Sequence, residues 1–166
     1  MIKELANPLW HYSLSLYAHE EVKQLCIRLQ DCYGINVNIV LWCCWYASEL
    51  GQFNQEFLDT ILADNEPWNT QVTCQLRQAR QWLRNNHQNE LVQPFRQQLV
   101  QLEITSEAFQ QEQLYQRSIK QNKTGATDKS AARSNLQMYF NQLNATVSEE
   151  HWQLIELNLL TRVNGF

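Results

Sequence analysis

Apolar residues at helical spacing first form a clear pattern in segment 20–33. Val22, Leu25 and Leu29 fall on one face of a helix there, and most of the other positions are polar. Gly34 follows the last periodic residue and can adopt the left-handed conformation that closes a helix end. The pattern therefore predicts a helix that ends at residue 33.

The next segment, about 37–50, is apolar on nearly every face. Asn36 is a good N-cap residue at its start, and Gly51 is placed to end it. Because a helix that is apolar all round is buried, we expect a helix hairpin, about 20–33 and 37–50, to form the core. The apolar residues of the second helix are Val37, Ile39, Val40, Leu41, Trp42, Cys43, Cys44, Trp45, Tyr46 and Ala47.

The middle of the chain predicts helices separated by proline. A short helix, Asn54–Ala63, is expected to end in the stretch Asp64–Trp68, where Pro67 breaks it. A longer helix then begins near Asn69 or Thr70. Pro94 predicts either a kink or a new helix that starts near residue 91.

The last third of the chain predicts three helices and one loop. Thr105, between Ile104 and Phe109, resembles a cap with a hydrophobic staple that opens a Gln-rich helix to about Lys120. Segment 121–130 has no large apolar residue, and we expect a mobile loop there. Helical patterns resume around 136–143, and Ser148 predicts the cap of a final helix.

Composition and length then limit the fold class. The chain has 166 residues with only 4 Gly and 3 Pro, which is too few for a many-stranded sandwich or for glycine-loop nucleotide folds. We expect an all-α fold: a single-domain bundle of six or seven helices over residues 1–166. A compact part up to residue 64 with a looser C-terminal part is the alternative.

The same composition indicates a cytoplasmic protein. Residues 1–10 lack the apolar run of a secretory signal, and Ile39–Ala47, the most apolar stretch, is far shorter than the ~20 residues of a membrane-spanning helix. The five cysteines form no CxxC pair, so we expect free, mostly buried thiols, which suit a reducing compartment.

Charge is distributed unevenly along the chain. Residues 1–70 carry a net charge of -6, residues 71–133 carry +4 and the remainder carries -2. Arg77, Arg80 and Arg84 line one face of a predicted helix, where they could contact RNA phosphates or an acidic protein surface. The alternative is that they pair with acidic neighbours such as Asp31, Glu49 or Asp59, or are solvated.

Polar residues also surround the predicted hairpin turn. Asn38 enters a helix that otherwise looks buried, and a buried amide must find partners. Gln30, Asp31 and Asn38 therefore predict a polar network that fixes how the two helices cross. They also allow a small ligand pocket walled by aromatic side chains. Those walls would be Trp10, Tyr17, Trp42 and Trp45.

No sequence motif indicates catalysis. GxxxxGK[ST], GxGxxG and GxSxG are absent, and no histidine lies four residues from another histidine or a cysteine. We therefore expect no cofactor, no metal site and no catalytic residue.

Three blocks of residues resemble a proteobacterial family of small uncharacterised proteins. Its pattern is W-x-F-S-L-x-x-Y, then C-L-x-L-Q-D-x-x-G-x-x-V-N-x-L-L-x-x-x-W, then W-R-x-x-V-V-x-P-L-R. Tyr12 replaces the first Phe, Ile27 the Leu, and Phe95 the last Leu. The resemblance implies a bacterial cytosolic all-helical protein without an assigned activity. The matching residues are Trp10, Ser13, Leu14, Tyr17, Val22, Cys26, Leu29, Gln30, Asp31, Gly34, Val37, Asn38, Leu41, Trp42, Trp45, Trp82, Val92, Pro94 and Arg96.

These observations favour a non-enzymatic protein-interaction or adaptor module. Its docking surface would be the edge of the aromatic N-terminal hairpin or the face of Arg77, Arg80 and Arg84. A ligand-binding or enzymatic pocket near Asp31 and Asn38 is one alternative, and a weak RNA binder is another. The sequence leaves the protein partner unidentified and the oligomeric state open.

Overall fold

The computed structural model describes residues 5–87 and 89–163, which form eight α-helices and no strand. A π-helical turn, Asn69–Thr73, joins the fourth and fifth helices without a break, so the eight make seven continuous helical segments. The predicted all-α bundle is confirmed. The helices are α1 (Pro8–Tyr17), α2 (Glu20–Tyr33), α3 (Val37–Glu49), α4 (Gln55–Trp68), α5 (Cys74–Asn86), α6 (Gln93–Ser118), α7 (Lys129–Gln142) and α8 (Glu149–Asn158).

Side chains cap most helix starts, as the local sequence predicts for α3 and α8. The Asn36 side chain accepts a hydrogen bond from the backbone N–H of Asn38, and Ser148 accepts one from that of His151. Gly34 ends α2 with φ 64°, the left-handed conformation expected of it. Helix α1 was not predicted, although Asn7 and Pro8 form a typical helix start: the Asn7 side chain caps the first turn.

The predicted break at Pro67 is wrong. Helix α4 continues through Pro67 to Trp68 and then widens into the π-helical turn before α5. Proline lacks the N–H of a normal helical turn and crowds the preceding carbonyl, and a wider turn beside it accommodates the disturbance without ending the helix.

The predicted helix start at Thr105 is also wrong. Helix α6 runs for 26 residues, Gln93–Ser118, and Pro94 lies in its first turn, where the missing N–H costs nothing. The Thr105 hydroxyl donates to the carbonyl of Gln101 inside this helix and caps nothing. Of the two expectations for Pro94, the new helix near residue 91 is confirmed, since a 3-10 turn at Glu90–Val92 leads into α6.

Helix α3 is the centre of the core, as its all-round apolar sequence predicts. Every residue from 38 to 47 is buried, and α3 packs most extensively on α7. Trp42 is fully buried and stacks on Phe53, with ring centroids 4.9 Å apart. The helices around α3 form what we call the body: α1–α4, the C-terminal part of α6, α7 and α8.

Helix α5 and the first part of α6 form a different unit, which we call the arm (residues 74–102). Helix α5 packs on α6 and has no buried residue. In the described part of 74–98 no residue is buried, and Leu99 is the first buried position of α6. At about 1.5 Å per residue, α6 is about 39 Å long. Its C-terminal part lies in the body and its N-terminal part carries the arm outward.

Candidate functional site

Asn38 finds its partners on α6. Its Nδ2 donates to Gln110 Oε1 at 2.5 Å, and its Oδ1 accepts from Gln111 Nε2 at 2.8 Å. Gln111 Oε1 in turn accepts from the Ser13 hydroxyl of α1 at 2.9 Å. This buried network ties α1 and α3 to α6. It is not the predicted network of Gln30, Asp31 and Asn38 between the two hairpin helices: of those residues only Asn38 takes part, and its side-chain partners lie on α6.

Of the four aromatic residues expected to wall a pocket, Trp10, Trp42 and Trp45 are buried in the core and Tyr17 is partly buried against it. Trp42 Nε1 donates to the Ser118 hydroxyl at 2.8 Å, and the ring of Trp45 lies 5.6 Å from that of Tyr115. Trp10 is 5% exposed. Asp31, in contrast, is exposed on α2. The structure therefore does not bring Asp31 and Asn38 together around a cavity, and a ligand site there stays a prediction.

Two of the three arginines of the predicted basic face bind glutamates of α6. Arg77 Nε lies 3.0 Å from Glu103 Oε1, and its Nη2 lies 2.8 Å from Glu107 Oε1. Arg80 pairs with the other oxygen of Glu103. We call Arg77, Arg80, Glu103 and Glu107 the ion cluster. It joins α5 to α6 at the base of the arm.

The ion cluster also reaches α2 and α1. Arg77 Nη1 donates to Gln30 Oε1 at 2.9 Å, so the predicted site residues Gln30 and Arg77 do meet. Burial raises the pKa of Glu107, and the neighbouring Arg77 opposes that rise. Tyr17 lies in the same region: burial raises its pKa, with smaller contributions from Cys26 and Glu107. Burial raises the pKa of the Cys26 thiol to about 12, so this cysteine stays protonated at neutral pH.

Arg84 is the one arginine of the predicted face that makes no ion pair with another described residue. It is exposed in the last turn of α5, near the outer end of the arm. Arg77 and Arg80 therefore form ion pairs with acidic residues, which was the alternative to a binding face. Their partners are glutamates of α6 and not Asp31, Glu49 or Asp59. An RNA phosphate would meet a face on which only Arg84 keeps an unpaired charge.

The outer end of the arm carries large exposed apolar side chains that were not among the predicted site residues. Trp82 is 56% exposed, Leu91 86% and Phe95 54%, and Leu102, at the base of the arm, is 54% exposed. Phe95 and Leu102 are seven residues apart in α6 and so lie on one face. In the sequence these residues stand out only as apolar residues, and two of them, Leu91 and Phe95, lie close to Pro94. The pattern alone does not distinguish an exposed apolar stripe from a buried one.

The described residues contain neither a candidate metal cluster nor a candidate membrane-spanning helix. Residues 5–87 and 89–163 contain no group of three histidine, cysteine, aspartate or glutamate side chains that could hold a metal ion. None of the helices in those ranges combines the length and hydropathy needed to cross a bilayer.

All five cysteines are free thiols, and Cys26, Cys43 and Cys44 are buried, as most of the five were predicted to be.

Comparison with known proteins identifies a family without a known activity. A family model described as "Protein of unknown function (DUF2390)" matches residues 8–114, from the start of α1 into the C-terminal part of α6. The whole arm and the ion cluster lie within the match, whereas α7 and α8 lie outside it. No curated protein and no solved structure matches the chain significantly.

Proposed function

Since this chain belongs to the DUF2390 family of proteins of unknown function, we propose its function from its own geometry: it is a non-enzymatic module that binds a protein partner through the arm. The observation that carries the proposal is the exposure of Trp82, Leu91 and Phe95 on a two-helix projection without buried residues in α5. Contiguous exposed apolar surface on a protein marks interaction sites, and tryptophan is prominent among the residues that dominate binding energy.

Charge indicates what kind of partner fits the arm. Arg84, two residues after Trp82 in α5, is exposed and makes no ion pair with a described residue, whereas Arg77 and Arg80 are neutralised by the ion cluster. We therefore expect a protein surface with apolar side chains flanked by carboxylates. Charge of this kind chiefly raises the association rate and the specificity of a complex, and the buried apolar anchors supply most of the affinity.

Polar and aromatic contacts fix the base of the arm to the body, which favours binding. The ion cluster fixes α5 to α6, and Trp68 Nε1 donates to the carbonyl of Ser106 at 3.0 Å where the arm meets the body. The Trp68 ring also packs on Phe109, with centroids 4.4 Å apart. A pre-organised surface loses less conformational freedom when a partner binds.

The same proposal places the module in a reducing cytoplasm, as its resemblance to a bacterial family implies. Five cysteines without a disulfide support this location.

The test is recovery of the partner from the lysate of the source cell, followed by affinity measurements with the purified partner. Trp82→Ala and Phe95→Ala should each weaken binding by about tenfold or more. Arg84→Glu should weaken it most at low salt, since screening reduces this contribution. Leu157→Ala is the matched control, because Leu157 is 66% exposed on α8 in the body.

Three results would contradict the proposal. The first is the absence of any stoichiometric protein on the bait at moderate salt. The second is a partner that binds the Trp82→Ala and Phe95→Ala variants as tightly as the wild type. The third is self-association of the wild type that Phe95→Ala abolishes, which would assign the arm to a second copy of this chain.

A further inference from the structure

The arm carries two arginines outside the ion cluster. Within the ion cluster one carboxylate, that of Glu103, lies between two guanidinium groups of α5. The arm has two further arginines, Arg84 and Arg96, and a single acidic residue, Glu90. Glu90 is exposed and pairs with neither arginine. The arm therefore has cationic side chains for which it supplies no carboxylate of its own.

The ion pairs show that α5 and α6 run antiparallel, and they fix the register of the two helices. Arg77 pairs with Glu107. Arg80, one turn further along α5, pairs with Glu103, one turn earlier in α6. Positions further out along the arm are therefore matched in the same way, with higher numbers in α5 opposite lower numbers in α6.

This register places Arg84 and Arg96 at neighbouring levels of the arm. Arg84 is four residues beyond Arg80, about 6 Å further out along α5. Arg96 is seven residues before Glu103, about 10 Å further out along α6. Spacings of four and seven residues return to the same face of a helix, so both arginines lie on the faces that carry the ion cluster. Their levels differ by only about 5 Å, which two long side chains can span.

Arg96 has no compensating acceptor in the described part of the chain. It is half-buried in the arm, where α6 packs on α5. Its Nε is buried without a hydrogen-bond partner, and the residue makes no ion pair with another described residue. A partly buried charge is normally paired, because burying an uncompensated one costs free energy. Arg96 and the neighbouring Arg84 therefore lack the carboxylate that the ion cluster has.

We propose that Arg84 and Arg96 together bind one carboxylate of the partner protein, an aspartate or glutamate side chain, as the ion cluster binds Glu103. This inference rests on the proposed function, since it identifies the group of the partner that the arm binds. The planar guanidinium group matches the two oxygens of a carboxylate. Trp82 is two residues before Arg84, and Phe95 directly precedes Arg96. The carboxylate is therefore bound at the same end of the arm as the apolar residues.

A protein carboxylate fits this pair better than a nucleic acid. Beyond the ion cluster the arm has a net charge of only +1, from two arginines and one glutamate. Nucleic-acid affinity grows with the number of phosphates that a basic surface neutralises, so two arginines are too few to hold an RNA backbone.

The test is an NMR titration of the isotope-labelled full-length protein with an N-acetylated, C-amidated tri-glutamate peptide at constant ionic strength. The Nε–Hε resonances of Arg84 and Arg96 should shift and saturate, whereas a tri-glutamine peptide should leave them unmoved. Arg84→Gln and Arg96→Gln should each weaken the peptide affinity by about tenfold or more. Arg28→Gln is the matched control, because Arg28 is exposed on α2 and makes no ion pair with a described residue.

Thermal melts establish that each variant is folded. If Arg96→Gln does not fold, Arg84→Gln decides the matter, because Arg84 is exposed. The proposal is overturned if the tri-glutamate peptide shows no saturable binding, or if Arg84→Gln binds it as well as Arg28→Gln. It is also overturned if inorganic phosphate binds and the peptide does not displace it, which would indicate RNA.

The recovered partner separates this proposal from the proposed function. A partner that Trp82→Ala weakens, but that Arg84→Gln and Arg96→Gln bind as tightly as the wild type, would overturn the carboxylate site and leave the proposed function intact. Saturable binding of the peptide without any recovered partner would support the carboxylate site and contradict the proposed function.

Discussion

At Gly51 two distant parts of the backbone come into contact. Gly51 has φ 93°, and a Cβ at this position would lie 2.1 Å from the carbonyl oxygen of Thr124. The backbone N–H of Thr124 donates to the carbonyl of Leu50 at 2.7 Å, which holds segment 121–128 against the end of α3. Both the backbone conformation and the close approach therefore require glycine here.

Gly51→Ala should accordingly destabilise the protein by at least about 3 kcal/mol, since the two backbone segments must separate. Gly125→Ala is the matched control: φ is 71°, but no atom lies within 4 Å of the added Cβ. Its cost should be only the left-handed strain, about 1 to 2 kcal/mol. Urea denaturation followed by circular dichroism measures both, and equal losses would contradict the close contact.

Between elements, the ion cluster is the main polar connection of α5 to α6. Burial raises the pKa of Glu107 in the folded protein above the value of an unfolded glutamate, about 4.3. At pH values between the pKa of Glu107 in the unfolded chain and its higher pKa in the folded protein, the folded state binds more protons than the unfolded state. Stability contributed by Glu107 is therefore present at low pH and is lost as pH rises through that range.

Glu107→Gln should remove this loss of stability with rising pH, because glutamine does not titrate. The free energy of unfolding of the variant, compared with wild type, should increase as pH rises from about 4 to about 7. Urea melts at a series of pH values measure the difference. Glu49→Gln, at an exposed position of α3, is the control. A difference between Glu107→Gln and wild type that shrinks as pH rises would show that the ionised form is the one stabilised by folding.

At the scale of the whole molecule, the packing of α7 on α3 joins the C-terminal part of the chain to its N-terminal part. Leu136, Tyr139 and Phe140 of α7 are buried, and Asn135 Nδ2 donates to the carbonyl of Gly51 at 3.1 Å. We expect the body to unfold in one cooperative transition, with coincident curves from circular dichroism and tryptophan fluorescence. A chain that ends at residue 120 should lose that transition. Separate transitions would favour the alternative of a compact part up to residue 64.

The sequence by itself determined the local features of this protein. Helix periodicity, Gly34, Asn36 and Ser148 gave α2, α3 and the start of α8, because helix formation and capping depend on residues a few positions apart. The burial of α3 was also predictable, since its apolar residues cover every face.

Tertiary structure decided everything that depends on which helices are neighbours. Asn38 bonds to Gln110, 72 positions later in the chain. Arg77 pairs with Glu103 although other carboxylates lie closer to it in the sequence. Helix packing decides which of these side chains come within bonding distance. The same holds for Pro67, because the helix continues past it only by widening into the π-helical turn that joins α4 to α5. Trp82 and Phe95 read as apolar in the sequence, but only the projection of the arm from the body leaves them exposed.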